Sequence, residues 1–173
     1  MYLMVTSLAS HKNYTEIAEF EDDYFYDWSP FMPPPYNMRD SDASHVFAAL
    51  TAMELQLRKL QVKRARSNGY ELAGTSNWPA LSKQQVIDCC EACRNPRRIS
   101  NLYIYLYQNG VTTEKQYPFV SSVYQGPQPC KNTEEPYYKI RDYYKVHSCR
   151  NLAEKLKLGP VVAWVDARKW RKY

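Results

Sequence analysis

The sequence predicts an α+β fold in which the main helices precede the strands along the chain. A long helical pattern and a second capped helix lie in the first half, whereas alternating and wholly apolar strand patterns occur only after residue 137. The 173 residues are enough for one domain or two small ones, and no internal repeat divides them. We therefore expect a helical part followed by a part that contains the strands.

The composition excludes several classes of function. Apolar residues make up 45% and charged residues 24% of the chain, as in ordinary globular proteins, and no run reaches the roughly 18 apolar residues of a membrane span. The 5 glycines form neither of the phosphate-binding motifs GxGxxG and GxxxxGKS/T. The 3 histidines leave little material for a metal site or for acid–base chemistry. We therefore expect no cofactor, no metal and no membrane contact.

The longest predicted element is a helix of about twenty residues that begins at Ser41. Ser41 and Asp42 are favourable N-cap residues, and neither Gly nor Pro follows before Gly69. Apolar residues recur at helical spacing and form one buried stripe: Val46, Leu50, Met53, Leu57 and Leu60. We expect this helix to be the central element of the fold.

Two shorter segments follow this helix. The capping box at residues 82–85 predicts a helix that ends near Cys90. Residues 101–110 are ambiguous, because their composition favours a strand whereas Asn101 as a cap and Gly110 as a stop favour a short helix.

The last quarter of the chain contains the strand patterns. Alternation over residues 137–147 predicts a strand, and the apolar run 161–165 predicts a buried one. Between them, the capping pattern at residues 151–154 predicts a helix that Gly159 and Pro160 end.

Residues 1–37 are predicted to form an extended arm. An acidic and aromatic stretch at 19–28 precedes Pro30 and the consecutive prolines 33–35, which exclude both a helix and a central strand there. The aromatic side chains favour docking of this arm on the body of the protein.

The net charge of +5 is carried in part by basic clusters at residues 63–66, 94–98 and 168–172. A solvated surface is the ordinary interpretation of such clusters. The alternative is a basic nucleic-acid-binding or chromatin-associated factor, which requires the clusters to share one face.

The chain has 5 cysteines, an odd number, so at least one thiol is unpaired or bonds to another chain. Cys90 and Cys93 form a CxxC pattern, but no second CxxC or HxxxH supplies the further ligands of a zinc site. We interpret this spacing as accidental. The N-terminus lacks the basic and apolar regions of a secretory signal, which predicts an intracellular location, cytoplasmic or nuclear.

Five segments, in the same order along the chain, resemble motifs of the papain-like cysteine proteases. The most specific is LSKQQVIDC at residues 81–89, which is close to the family's Leu-Ser-Glu-Gln-x-Leu-Val-Asp-Cys. The others are residues 27–28, 44–54, 109–119 and 158–166. The resemblance implies a papain-like α+β fold of two lobes, one mainly helical and one a β-barrel, with the active site between them.

The positions that carry catalysis in the family differ here. The position of the family's nucleophilic Cys falls on Ser44, and that of its oxyanion-hole Gln falls near Met38, which has no donor for an oxyanion. Residues 96–97 replace glycines of the family's substrate groove, and no segment matches the one that carries the family's catalytic His and Asn. We therefore expect no enzyme activity. A serine-variant hydrolase at Ser44 is the less favoured alternative.

The resemblance also implies a domain organisation: an arm at 1–37, a largely complete helical lobe at 38–130, and a partial barrel lobe with a basic tail at 131–173. It implies a disulfide between Cys89 and Cys130, and it leaves Cys93 without its family partner because Ser41 stands there.

An incomplete barrel exposes a strand edge and apolar faces, which another protein or a second copy has to cover. We therefore predict a non-catalytic pseudoprotease that acts as a protein-interaction or scaffold subunit. The side chains predicted to contact the partner are Tyr138, Ile140, Tyr144, Val146 and Trp164.

Overall fold

The structure is a computed structural model that describes residues 3–7, 27–39, 41–70, 80–120, 127–134 and 137–165, with the backbone alone for residues 3–7. Its helices are α1 Ser44–Ser67, α2 Lys83–Cys89, α3 Ile99–Gln108 and α4 Cys149–Leu158. Its strands are β1 Leu3–Ser7, β2 Asp142–Val146 and β3 Val161–Ala163. Short 3-10 helices lie at Ser29–Phe31, Glu91–Arg94 and Pro96–Arg98.

The main core forms around α1, as the apolar stripe predicts. Val46, Leu50 and Met53 are buried and pack in one cluster with side chains of α2 and α3, whereas the last two residues of the stripe are only half-buried. The predicted beginning at Ser41 is wrong, because α1 begins at Ser44. The Ser41 hydroxyl donates a hydrogen bond to the Met38 carbonyl at 2.8 Å and is thereby engaged in the preceding turn.

Helices α2 and α3 close the core on the other side. The Ser82 hydroxyl caps α2 by accepting a hydrogen bond from the Gln85 N–H at 3.0 Å, as the capping box predicts. The ambiguous segment is helical, because Leu102, Tyr103 and Leu106 recur at helical spacing and are fully buried in the same core.

The sheet has three antiparallel strands in the order β2-β1-β3. Its central strand, β1, lies in the stretch predicted as an arm, so the arm prediction is wrong for residues 3–7. The strand predicted over 137–147 is shorter than expected, and Tyr138 instead makes an isolated antiparallel bridge with Val111. Helix α4 begins before its predicted cap, because Ser148 rather than Asn151 accepts the capping hydrogen bond.

The described part of the N-terminal segment docks on the body through aromatic side chains. Trp28 Nε1 donates a hydrogen bond to the Leu156 carbonyl at 3.0 Å, and the Trp28 ring lies 4.0 Å from Lys59 Nζ, within cation–π distance. Residues 32–38 have no regular secondary structure, in agreement with their prolines. The acidic aromatic residues 19–26 and the basic tail at 168–172 lie outside the described residues.

A buried ion pair joins α1 to the beginning of α2. Lys83 Nζ lies 2.5 Å from Glu54 Oε1, and the two side chains are 1% and 0% exposed. The same oxygen accepts hydrogen bonds from the Leu81 N–H at 2.7 Å and the Tyr36 hydroxyl at 3.2 Å. Burial raises the pKa of Glu54, and its three donors only partly offset that effect. Burial likewise lowers the pKa of Lys83.

Lys83→Met should destabilise the protein by about 3–5 kcal/mol at pH 7, because it leaves the Glu54 carboxylate buried without a cation. The variant should regain part of this loss as the pH falls towards about 4.5, since a carboxyl with a raised folded-state pKa binds a proton more readily when folded. Urea unfolding across this pH range is the measurement. The double variant E54Q/K83M, which has no buried charge at this site, is the control and should cost less than K83M alone. Equal losses in the two variants would contradict this account.

Gly110 ends α3 with a φ of +76°, a backbone conformation that favours glycine. A Cβ atom there would lie 2.8 Å from the Tyr138 carbonyl oxygen and 2.7 Å from Lys139 Cγ. Gly69 has the same φ of +76°, but no atom of the described residues lies within 4 Å of an added Cβ. A comparison of substitutions at the two glycines therefore separates the cost of the positive φ from the cost of a steric clash.

Gly110→Ala should cost about 3 kcal/mol, because a steric clash adds to the cost of the positive φ. Gly69→Ala, the matched control, should cost only about 1 kcal/mol for its φ. Urea unfolding of both variants measures the difference. An equal loss in the free energy of unfolding of the two variants would contradict a contribution from the steric clash at Gly110.

Candidate functional site

Ser44, the residue that the resemblance assigns to the position of the family's nucleophile, is the first residue of α1. Its side chain is exposed, and its hydroxyl has no hydrogen-bond partner among the described residues. A hydroxyl becomes a useful nucleophile only when a base accepts its proton. Ser44 therefore has the geometry of a residue in the first turn of a helix, with no activating contact.

His45, the nearest histidine in sequence, faces elsewhere. The side chain is 5% exposed, and its Nε2 lies 2.7 Å from the Cys93 carbonyl oxygen. Because a carbonyl only accepts, Nε2 carries the proton and donates, and Nδ1 is left buried without a partner among the described residues. The imidazole thus fastens α1 to the segment after α2, and its orientation agrees with the rule that neighbouring helix positions do not face each other.

In the part of the chain that the structure describes, the other parts of a hydrolytic site are not assembled around Ser44. His147, the second candidate base, is exposed beyond the end of β2 and makes no hydrogen bond to Ser44. Met38 is 36% exposed and presents a thioether, which cannot donate a hydrogen bond to an oxyanion. Among the described residues, no group of three His, Cys, Asp or Glu side chains could hold a metal ion.

Two disulfides lie close to this region. Cys89 and Cys130 are bonded, with their Cα atoms 4.7 Å apart across 41 residues of sequence, a loop whose closure stabilises the fold by about 4 kcal/mol in the chain-entropy account. Cys90 and Cys93 are also bonded, with their Cα atoms 5.2 Å apart. The interpretation of the CxxC spacing as accidental is therefore wrong, since the local turn brings these two thiols together, and Cys93 bonds to Cys90 in place of the family partner that Ser41 replaces.

The predicted interaction residues divide into two groups. Ile140 and Val146 are only 2% and 5% exposed, because one packs in the main core and the other against Leu152 and Val161, so they are unavailable to a partner. Tyr138 is half-buried at its bridge to Val111. The remaining two, Tyr144 and Trp164, are 44% and 42% exposed and stay available for contact.

An apolar groove that the sequence did not predict runs beside α1. It has a volume of about 460 Å³ and lies between one face of α1, the proline segment 33–36 and residues 160–163, which include β3. Phe47, Ala48 and Leu55 of α1 contribute to its wall, and the exposed side chains of Met32 and Met38 lie along it. The run of prolines flanked by methionines was the one available signal, because such a segment is apolar yet cannot enter a helix or a central strand.

Two of the basic clusters lie far apart. The cluster at 63–66 ends α1, whereas the cluster at 94–98 lies next to Cys93, which contacts His45 at the beginning of α1. Twenty residues of helix separate these points by about 30 Å. The Arg94 guanidinium also donates to carbonyls at the end of α2, so it has a structural contact. These two clusters do not form one basic face.

One of three comparisons with known proteins identifies a family for this chain. The sequence model of the papain family of cysteine proteases matches residues 64–173. One similar solved structure comes from work titled "Structural basis for the limited antibody cross reactivity between the mite allergens Blo t 1 and Der p 1", with 17% identity and a TM-score of 0.47. The match covers 78% of this chain and 41% of that chain, so this chain spans less than half of the related structure. No curated protein matches the sequence.

The family match begins at residue 64, after Ser44 and His45. It therefore supports the fold but does not cover the position of the nucleophile. Within the described residues, no helix is both long and apolar enough to span a membrane. The α+β order and the family match over residues 64–173 lead to one conclusion: this chain belongs to the papain family of cysteine proteases.

Proposed function

We propose that this chain is a non-catalytic member of its family, a pseudoprotease that acts as a protein-interaction or scaffold subunit of a larger assembly. The observation that carries the proposal is the state of the nucleophile position. Ser44 has a free hydroxyl, while its neighbour His45 is fixed on the Cys93 carbonyl at 2.7 Å.

Acyl transfer by this family's chemistry requires a thiolate, an imidazole that accepts and returns a proton, and donors that stabilise the oxyanion. The described residues supply none of these at Ser44. A serine hydroxyl without a base ionises far too weakly to replace the thiolate, so a serine-variant hydrolase lacks support here.

The apolar groove and β3 together favour one kind of partner, namely an extended apolar segment of another protein. Strand β3 is an outer strand, so its backbone groups on one side have no ladder partner within the described sheet. An extended segment can pair with such an edge while alternate side chains enter a neighbouring groove. The groove meets this requirement, because β3 itself forms part of its wall.

The two disulfides bear on the cellular location. Disulfides persist in oxidising compartments and are rare in the cytosol and nucleus. The cytoplasmic or nuclear location therefore remains a prediction. The disulfides Cys89–Cys130 and Cys90–Cys93 are evidence against it.

Ala48→Arg should weaken binding of a purified partner by more than about tenfold, because it places a large charged side chain in the apolar groove. Ala48 is exposed, so the substitution should leave the core intact. The partner is first identified by stoichiometric co-purification and mass spectrometry, and its affinity is then measured by calorimetry. Light scattering during size-exclusion chromatography tests whether the partner is a second copy.

Ala92→Arg is the matched control, since Ala92 is also exposed and does not line the groove. It should leave the affinity unchanged. The groove is not the docking site if both variants bind as tightly as the unmodified chain. The subunit proposal fails altogether if the protein stays a monomer with no stoichiometric partner.

A further inference from the structure

A second cavity, polar in character, lies where the ends of α2 and α3 meet the segment after the Cys89–Cys130 disulfide. Its volume of about 520 Å³ is within the range of small-molecule sites in proteins. It shares no lining residue with the apolar groove, and neither Ser44 nor His45 lines it. It is therefore independent of both the nucleophile position and the partner surface.

Gln85 supplies the most deeply buried polar side chain of this cavity. The side chain is 5% exposed, and its Oε1 accepts a hydrogen bond from the Thr112 N–H at 2.7 Å, which fixes the amide plane. Its Nε2 has no hydrogen-bond partner among the described residues. Because the amide plane is fixed by the bond from Thr112, this N–H group is already oriented and can donate to whatever occupies the cavity.

Two tyrosines add hydroxyl groups to the lining. The Tyr137 hydroxyl is held in place because it donates to the Thr133 carbonyl at 2.7 Å. The Tyr105 hydroxyl has no hydrogen-bond partner among the described residues. Burial raises the pKa of Tyr105, and the nearby Tyr137 adds to the effect, so the hydroxyl stays protonated and able to donate.

The described lining of the cavity carries positive charge. Lys131 and Lys139 line it, and no acidic residue is present in its described lining. Lys139 Nζ donates to the Gln108 carbonyl at the end of α3, at 2.8 Å, whereas the Lys131 ammonium has no hydrogen-bond or ion-pair partner among the described residues. A free ammonium beside a fixed amide donor is suited to an anionic group.

The uncharged lining narrows the ligand class. Side-chain amides, including that of Asn132, both donate and accept hydrogen bonds, which matches sugar hydroxyls. We propose that this cavity binds an acidic saccharide, whose carboxylate lies at Lys131 and whose hydroxyls contact Gln85, Tyr105 and Asn132.

The probes are glucuronate, glucose and inorganic sulfate, titrated into the ¹⁵N-labelled full chain and followed by NMR chemical shifts. Glucuronate should bind with a Kd of about 1 mM, as expected for a ligand of its size, and shift the amide signals of the cavity residues. Glucose should bind about tenfold more weakly because it lacks the carboxylate. Saturable binding of sulfate as tight as that of glucuronate would show an adventitious anion site and overturn the proposal.

Lys131→Met should weaken glucuronate binding about tenfold and leave glucose binding unchanged. Lys115→Met is the matched control, since Lys115 is an exposed lysine outside the cavity, and should change neither. Gln85→Glu keeps an oxygen acceptor for the Thr112 N–H while it removes the free donor, so it should weaken binding of both sugars. Equal effects of K131M and K115M, or no saturable shift with glucuronate, would overturn the proposal. Neither result would bear on the partner-binding proposal, because the two sites have no residue in common.

Discussion

The rest of the fold depends on one carboxylate oxygen. Oε1 of Glu54 accepts from the Lys83 ammonium, the Leu81 N–H and the Tyr36 hydroxyl, so a single buried atom joins α1 to α2 and to the proline segment. Burying a charge is unfavourable unless it is paired and hydrogen-bonded, and only this combination of donors allows it here. The hydrogen bond to Glu54 positions Tyr36 at the wall of the apolar groove. Leu81, which also donates to Glu54, pairs with Thr113 in an isolated bridge. Contacts of Glu54 thus link α1 to Leu81 in the core and to Tyr36 in the wall of the groove.

The region of the nucleophile position follows a different constraint. The Cys90–Cys93 disulfide tightens the turn after α2, and the Cys93 carbonyl then holds the buried His45. An imidazole held in this way stabilises the junction of α1 with that turn, and it is unavailable to exchange protons with Ser44. Within the described residues, the helical packing is kept while no base is hydrogen-bonded to Ser44, and the proposed interaction role rests on this observation.

Much of the helical part was predictable because its signals are local. The stripe from Val46 to Met53 and the Ser82 cap depend on spacing within one or two turns, and both predictions are confirmed. The sheet was not predictable in the same way, because β1 lies more than 130 residues from β2 in sequence and only a long-range pairing reveals it. Ile140 and Val146 were misassigned to a surface for the same reason: alternation identifies a strand, but not which of its faces packs on α3 or α4. The two cavities arise from tertiary packing, which no sequence motif records.

The most direct test of the central claim is the acidity of a thiol placed at the nucleophile position. In the Ser44→Cys variant, the rate of alkylation at position 44 is followed against pH by mass spectrometry of the peptide that contains it. The account predicts a single titration with an apparent pKa between about 7 and 8.5, because the thiol gains only the effect of a helix N-terminus. A step below about pH 5 would show a thiolate paired with an imidazolium and would contradict the proposal that Ser44 lacks a catalytic base.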